Sequence, residues 1–274
     1  MTQDSEIADP RLLDELTLIA SRAAAAILAI DALALAPRNK PDQSPVTAAD
    51  EASEAVILEG LARLLPGVPV VSEETAGLGA PPTLGERFLL VDPLDGTREL
   101  LAGESEYTIN IALVSGGTPV IGIVAAPALG TVWRGIAGVG AERLRLAPGA
   151  TVTAAREREP IHTRRRPSHG AAAVVSRFHR DAATDAYLDG LPGVQRAVVG
   201  SAIKFCRVAE GAADIYARMS SLSEWDAAAG HALIVAAGGA MTAANGEPLR
   251  YGRPGFRLSP FIAVGDPSFI SHAS

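Results

Sequence analysis

The amino-acid sequence predicts an α/β protein of layered helices and sheets, forming one large domain or two subdomains that share a core. Three observations indicate this class. Helical and strand-like patterns alternate along the 274 residues, apolar residues make up 48% of the chain, and charged residues make up 20%. Aromatic residues contribute only 4%, so Ala, Val, Leu and Ile must form most of the core. This composition excludes a disordered polymer.

Two helices are predicted near the start of the chain. Asp9 is typical of a helix N-cap, and the apolar pattern after it continues to about Ala36. Thr47 and Asp50 resemble a capping box, which predicts a second helix that ends near Leu65.

Short apolar strands follow these helices, and two of them lead directly into acidic residues. Residues 68–71 precede Glu73, and residues 88–91 precede Asp92. Between residues 107 and 146, β-type runs alternate with turns, which predicts antiparallel strands. The sequence therefore places carboxylates at the ends of two buried strands.

A second subdomain is predicted to begin after residue 155. The polar stretch 152–167 contains three consecutive arginines, residues 164–166, and we interpret it as a solvated connector between subdomains 1–155 and 156–274. Strands and helices alternate after it. The predicted order is strand 172–175, helix 181–188, strand 194–199, helix 202–211, strand 214–217 and helix 224–237.

Charge and composition limit the partners that we expect. A net charge of −7 and a pI near 5.3 oppose binding to a nucleic-acid backbone, so small molecules are the expected partners. The apolar stretch 18–36 contains Arg22 and Asp31 and falls short of the roughly 20 apolar residues of a membrane span. The single cysteine, Cys206, excludes an internal disulfide, and the acidic first six residues do not resemble a secretory signal. We therefore expect a cytoplasmic protein.

Residues 92–97, Asp-Pro-Leu-Asp-Gly-Thr, form the most informative motif of the chain. Asp92 and Asp95 stand three residues apart around a proline, so a tight turn can direct both carboxylates and a backbone carbonyl toward one point. Gly96 and Thr97 would begin a helix whose first amides suit a phosphate. The motif alone leaves open that these residues form no more than a turn.

Other acids occur in comparable positions. Glu73 and Glu74 follow a strand, and Asp226 opens a predicted helix, as Asp50 does. Solvent exposure would explain the first pair, and helix capping would explain the other two, without any function. Their shared location at strand ends and helix starts, where layered α/β folds bind ligands, favours a common site.

Four segments occur in the order and spacing of a known family, the lithium-sensitive, magnesium-dependent phosphatases that include inositol monophosphatases and fructose-1,6-bisphosphatases. These segments are residues 44–50, 71–74, 91–99 and 225–231. The chain resembles this family over nearly its whole length. Residues 98–99, 110–113 and 200–211 are similar to its CysQ branch, the 3′(2′),5′-bisphosphate nucleotidases, whereas Leu100 and residues 219–221 depart from the usual pattern.

The resemblance implies an αβαβα sandwich with a Mg²⁺ site between its two halves. Its ligands would be Glu73, Asp92, the Leu94 carbonyl, Asp95 and Asp226. Asp50, Glu73 and Thr97 would orient or deprotonate the attacking water. The substrate contacts that the resemblance implies are Glu73, Leu94, Asp95, Gly96, Thr97, Ser201, Lys204, Arg218 and Asp226.

The reaction that the resemblance implies is hydrolysis of 3′-phosphoadenosine 5′-phosphate to AMP and phosphate, with inhibition by lithium. Ser201, Lys204 and Arg218 would hold the nucleotide's other phosphate and its sugar, which favours this substrate over inositol monophosphate or a sugar bisphosphate. A non-catalytic, cation-sensing module is the alternative from another class. Such a module would keep the acids but need neither Asp50 nor Thr97.

Overall fold

The computed structural model describes residues 9–31, 35, 37–39, 45–76 and 82–270. Helix α1 (Pro10–Leu28) begins at the N-cap Asp9, whose carboxylate accepts a hydrogen bond from the amide of Arg11 at 2.8 Å. The helix ends at Leu28, so the predicted end near Ala36 is wrong. Ile27 is the last buried residue of α1, and a helix without a packed face has little to sustain it.

Seven strands form the larger sheet, in the spatial order in which they occur along the chain. They are β3 (Val70–Ser72), β4 (Arg87–Asp95), β5 (Thr108–Ser115), β6 (Thr118–Ala126), β7 (Thr131–Ile136), β8 (Gly140–Arg145) and β9 (Glu157–Ile161). Strand β3 is parallel to β4, and every later pair is antiparallel. The antiparallel region predicted between residues 107 and 146 is thereby confirmed.

Short elements connect or flank these strands. A two-residue ladder joins β1 (Arg38–Asn39) to β2 (Pro45–Val46). Helix α2 (Ala48–Leu64) follows with the predicted capping box at Thr47, α3 (Glu73–Ala76) follows β3, and α4 (Thr97–Leu101) follows β4. Ser44, the first residue of the first family segment, lies outside the described residues.

Five strands form the second sheet, in the order β11, β10, β12, β16, β14. The elements of this half are β10 (Ala172–Val175), α5 (Ala182–Asp189), β11 (Gln195–Val198), α6 (Ile203–Ala209), β12 (Ile215–Arg218), β13 (Leu222–Ser223), α7 (Glu224–Ala236), β14 (Ala240–Ala243), β15 (Arg257–Leu258) and β16 (Phe261–Val264). Strand β10 is parallel to both β11 and β12, as alternating strands and helices predict.

Three apolar clusters arrange these elements in five layers. Helices α1 and α2 cover one face of the large sheet, α6 and α7 fill the space between the two sheets, and α5 packs on the outer face of the second sheet. The predicted αβαβα architecture is confirmed. Close packing of α7 requires glycine at two points, because a Cβ on Gly122 would lie 2.2 Å from the Ala229 carbonyl oxygen, and one on Gly230 would lie 2.2 Å from Phe205.

The connector between the halves is largely exposed, as expected of a solvated segment, but it also forms ordered contacts. Strand β9 joins the first sheet although it lies beyond residue 155. Arg164 then forms two hydrogen bonds of 2.7 and 2.6 Å to the buried Asp214, which attaches the connector to the second sheet. The division into two subdomains stays a prediction. Among the described residues, no helix has the length and apolar character needed to cross a membrane.

Candidate active site

Strand β4 carries Asp92 from the centre of the large sheet into a tight turn. The strand is buried from Phe88 onward, and its register with β5 shifts between Asp92 and Asp95, where Pro93 interrupts the ladder. Two hydrogen bonds fix this turn. Asp92 Oδ1 accepts from the Leu94 amide at 3.0 Å, and Ser53 Oγ of α2 donates to the Pro93 carbonyl oxygen at 2.6 Å.

Three acids from distant parts of the chain meet beside this turn. Glu73 begins α3, Asp92 lies in β4, and Asp226 lies in the first turn of α7. One carboxylate oxygen from each acid lies within 4.8 Å of the others. We call these three residues the acid triangle.

The charges of the acid triangle are not balanced within it. Burial, followed by repulsion from Glu73, Asp95 and Asp226, raises the pKa of Asp92 well above its usual range. Burial and the charges of Asp95 and Glu73 likewise raise the pKa of Asp226, although Arg218 opposes that shift. Carboxylates that are crowded in this way and offer only oxygen donors are suited to a hard cation. The acid triangle could therefore bind a metal ion.

Asp95 lies beside the acid triangle without being one of its members. Its Oδ2 accepts a hydrogen bond from Ser201 Oγ at 2.6 Å, and its carbonyl oxygen lies 3.1 Å from the same hydroxyl. The Leu94 carbonyl, another predicted metal ligand, lies 3.4 Å from Thr97 Oγ1. Ser201, which lies in the second half of the chain, thus contacts the predicted metal ligand Asp95.

Asp50 is buried next to Thr97. Its carboxylate takes part in the capping box of α2 and also contacts the site. Its Oδ2 accepts hydrogen bonds from Thr47 N at 2.8 Å and from Thr47 Oγ1 at 2.7 Å, and its Oδ1 accepts one from Thr97 Oγ1 at 3.1 Å. Burial raises the pKa of Asp50, while the hydrogen bonds from Thr47 and Thr97 oppose the shift. The capping interpretation and the functional one are therefore both compatible with its position.

A cavity of about 230 Å³ is lined by the acid triangle and by further residues from both halves. Every predicted site residue other than Asp50 lines it. These residues are Glu73, Asp92, Leu94, Asp95, Gly96, Thr97, Ser201, Lys204, Arg218 and Asp226.

Two cations line the same cavity as the acids. Lys204 is only 5% exposed, and its Nζ donates a hydrogen bond of 2.5 Å to the Ser201 carbonyl oxygen and lies 5.4 Å from the centre of the Tyr216 ring. Arg218 ends β12, and its buried Nε has no hydrogen-bond partner within the described part of the chain. Lys204 thus hydrogen-bonds to the protein, whereas the buried Nε of Arg218 does not.

The model of the inositol monophosphatase family matches residues 12–266 of the chain. The chain belongs to the inositol monophosphatase family. The resemblance seen in the sequence is thereby confirmed.

Curated relatives and solved structures agree with this membership. The chain is 38% identical over 264 residues to the 3′(2′),5′-bisphosphate nucleotidase CysQ of Salmonella typhimurium, covering 90% of this chain and 99% of that protein. It is 39% identical over 235 residues to CysQ of Escherichia coli strain K12, covering 81% and 87%. The crystal structure of CysQ from Bacteroides thetaiotaomicron aligns with a TM-score of 0.76 at 30% identity, covering 92% of this chain and 96% of that one.

Sequence reasoning missed two polar residues of this inositol monophosphatase-family site. Glu99 lines the cavity and is 4% exposed, and burial raises the pKa of its carboxylate. Thr108 is fully buried, with its Oγ1 2.6 Å from Ser201 Oγ. Glu99 was noticed solely as a branch signature, and Thr108 carried no signal because it reads as an ordinary strand residue. His179 also lines the cavity, where burial and the charge of Arg218 lower its pKa.

Proposed function

We propose that this chain is a metal-dependent phosphatase that removes the 3′-phosphate of 3′-phosphoadenosine 5′-phosphate and releases AMP and phosphate. One observation carries the proposal: the acid triangle, Lys204 and Arg218 line the same cavity. The CysQ relatives, 32% to 39% identical over most of the chain, are 3′(2′),5′-bisphosphate nucleotidases. A cytoplasmic location belongs to the same proposal.

Mg²⁺ is the metal of the proposed reaction. The acid triangle, together with Asp95 and the Leu94 carbonyl, offers a set of oxygen donors, which is the ligand type that Mg²⁺ prefers. The raised pKa values of Asp92 and Asp226 support the fit, because a divalent cation would offset the repulsion that raises them. When bound, Mg²⁺ supplies positive charge that activates a water and stabilises the leaving oxygen.

Thr97 and Asp50 provide a path for the proton of the attacking water. Because Thr97 Oγ1 donates to Asp50 Oδ1, a lone pair of that hydroxyl can accept a hydrogen bond from a water in the cavity. As the water attacks phosphorus, its proton moves to Thr97 Oγ1, whose own proton moves to Asp50. The two hydrogen bonds from Thr47 hold the Asp50 carboxylate in place for this transfer. Glu73, which lines the same cavity, orients the water.

The cations hold the phosphate that does not react. With the 3′-phosphate at the acid triangle, Lys204 and Arg218, which line the same cavity, bind the 5′-phosphate. The unpartnered Nε of Arg218 supports this contact, because a buried guanidinium donor without an acceptor is costly. A bisphosphate nucleotide thus supplies a phosphate to the acids and a phosphate to the cations.

Turnover of 3′-phosphoadenosine 5′-phosphate tests the proposal. With MgCl₂ we expect one phosphate and one AMP per nucleotide, no release in EDTA, and a kcat/KM for inositol 1-phosphate at least about tenfold lower. Thr97→Val removes the proton-accepting hydroxyl and should lower kcat by at least about 100-fold, whereas Thr97→Ser should retain most activity. A preference for inositol 1-phosphate would overturn the substrate assignment, and full activity in EDTA would overturn the metal-dependent reaction.

A further inference from the structure

A row of buried polar side chains lies behind Asp95. Its Oδ2 lies 2.6 Å from Ser201 Oγ, which lies 2.6 Å from Thr108 Oγ1, and that hydroxyl lies 3.0 Å from Asn110 Oδ1. Thr108 and Asn110 of β5 are fully buried, and Ser201 is 7% exposed. The row therefore connects the interior of the large sheet to a predicted metal ligand.

The number of available protons determines which atoms of this row donate hydrogen bonds. Its three contacts need three protons, but Ser201 and Thr108 supply one hydroxyl proton each. The buried Nδ2 of Asn110 has no hydrogen-bond partner among the described residues. Turning the Asn110 amide by 180° supplies the third proton and gives Nδ2 a partner, while Oδ1 takes the position without one. Nδ2 then donates to Thr108, Thr108 donates to Ser201, and Ser201 donates to the Asp95 carboxylate.

We propose that Thr108 and Asn110 are positioning residues for Asp95 and act on it through Ser201. The inference rests on the proposed function insofar as Asp95 is a metal ligand there. The Asn110 amide sets the direction in which both hydroxyls point, so Ser201 always donates toward the carboxylate. That hydrogen bond accounts for one oxygen of Asp95 and leaves the other for a metal ion.

The backbone supports Ser201 in this role. Ser201 has φ +52°, the left-handed region that residues other than glycine rarely adopt. Lys204 Nζ donates to the Ser201 carbonyl oxygen and so holds this turn from the other side. A Cβ on Gly96 would lie 3.3 Å from Ser201 Cβ, which shows how closely the two turns approach. Such a conformation is maintained where neighbouring groups determine it, and here it places the hydroxyl on Asp95.

The row also joins the two halves of the molecule. Asp95, Thr108 and Asn110 belong to the first sheet and its adjoining turn, whereas Ser201 precedes α6 of the second half. Asp95 is not a member of the acid triangle. Its carboxylate accepts a hydrogen bond from Ser201, so its orientation as a ligand depends on contact between the halves.

Mg²⁺-dependent stabilisation, measured as the rise of Tm with MgCl₂ and without substrate, tests the proposal independently of activity. Thr108→Val should raise the Mg²⁺ concentration at half-maximal shift by about tenfold, and Thr108→Ser, which keeps the hydroxyl, should stay within about twofold of the original. Thr242→Val is the matched control, because Thr242 is also a strand residue and its Oγ1 has no partner in the described ranges. It should change nothing.

Kinetic measurements distinguish a positioning role of Thr108 from a general loss of structure. In Thr108→Val the Mg²⁺ concentration for half-maximal activity should rise by the same factor, about tenfold, while kcat at saturating Mg²⁺ stays within about twofold. Asn110→Leu should raise the Mg²⁺ midpoint about threefold alone and add nothing in the Thr108→Val background, because both changes interrupt one row. Additive effects would remove Asn110 from the proposal.

Two results distinguish this inference from the proposed function. If Thr108→Val has an unchanged Tm in EDTA and an unchanged Mg²⁺ midpoint, the positioning role is wrong even when the original protein hydrolyses the nucleotide. If the original protein does not hydrolyse the nucleotide but Thr108→Val still raises the midpoint, the positioning role stands and the proposed function fails. Should Thr108→Val not fold, the Mg²⁺ midpoint of Asn110→Leu decides between the same two results.

Discussion

The acids and the cations that line the cavity hold their charges in different ways. Burial and mutual repulsion raise the pKa values of Asp92 and Asp226, and a cation from outside the chain would offset that repulsion. Lys204 already donates to the Ser201 carbonyl oxygen, while Arg218 has an unpartnered Nε among the described residues. The two cations carry the same charge but differ in their hydrogen bonds. Lys204 supports the protein, whereas the Nε of Arg218 has no such role.

Removing one charge from the acid triangle should have the largest effect on activity. We expect Asp92→Asn to lower kcat by at least about 1,000-fold, because an amide cannot help to hold the cation on which the transition state depends. The same variant should melt no earlier than the original protein in EDTA, since it removes repulsion from a buried group. Initial rates and Tm with and without MgCl₂ measure both effects. Normal turnover by the folded variant would contradict the metal-site assignment.

Lys204→Met tests whether a cation that is bonded to the protein acts on every substrate. The substitution keeps the volume but leaves the Ser201 carbonyl oxygen without its donor, so Tm should fall. We expect kcat/KM to fall by about 100-fold for the nucleotide and appreciably for a simple phosphate monoester, because Ser201 contacts Asp95. A loss confined to the nucleotide, with unchanged Tm, would show that the contact with Ser201 is unimportant.

Arg218→Gln tests the cation with the unpartnered donor. We expect kcat/KM for 3′-phosphoadenosine 5′-phosphate to fall by about tenfold, which corresponds to one charge-assisted hydrogen bond. A monophosphate has no second phosphate to lose there, so its kcat/KM should remain within about twofold. Parallel assays on both substrates give the comparison with Lys204→Met. An equal loss on both would remove the distinction between the two cations.

The smallest expected effect is on the pH dependence of stability and concerns His231, which does not line the cavity. It lies on α7, the helix that brings Asp226 to the site, and burial lowers its pKa to about 4, with Nδ1 3.1 Å from the Tyr251 hydroxyl. Its ordinary pKa is 6.5, so the unfolded chain takes up a proton first as pH falls. His231 therefore costs no stability well above pH 6.5 and progressively more down to about pH 4.

Between pH 6.5 and 5.5 this single group should lower the free energy of unfolding by about 1 kcal/mol. Urea unfolding of the original protein and of His231→Gln at both pH values measures the difference, since the variant lacks this titration. Identical pH dependence in the two proteins would mean that His231 takes up protons equally in the folded and unfolded states.

The layered fold could be predicted because local signals coincide with tertiary structure in most elements. Asp9, Thr47 and the apolar runs around residues 68–71 and 88–91 each indicate an element by themselves. Two neighbouring strands of the second sheet, β16 and the edge strand β14, were not predicted. Their four-residue strands pair across intervening chain, and pairing of that kind leaves no periodic pattern long enough to recognise.

The site was less accessible to sequence analysis than the fold. The acids stood out because Gly, Pro and strand ends surround them, and the structure brings Glu73, Asp92 and Asp226 together. The contact of Ser201 with Asp95 joins residues 106 positions apart, and nothing near either one announces it. The sequence predicts Ser201 as a substrate contact, a role that stays a prediction, while the structure adds a hydrogen bond to a predicted metal ligand.

Asp50 has two roles in the proposed reaction. The same carboxylate that closes the capping box of α2 also accepts the hydrogen bond of Thr97. A directed-evolution screen that rewards heat resistance alone could replace this buried acid by a neutral capping residue, and under the proposed proton path it would lose turnover. Selection at this position therefore has to score stability and activity together.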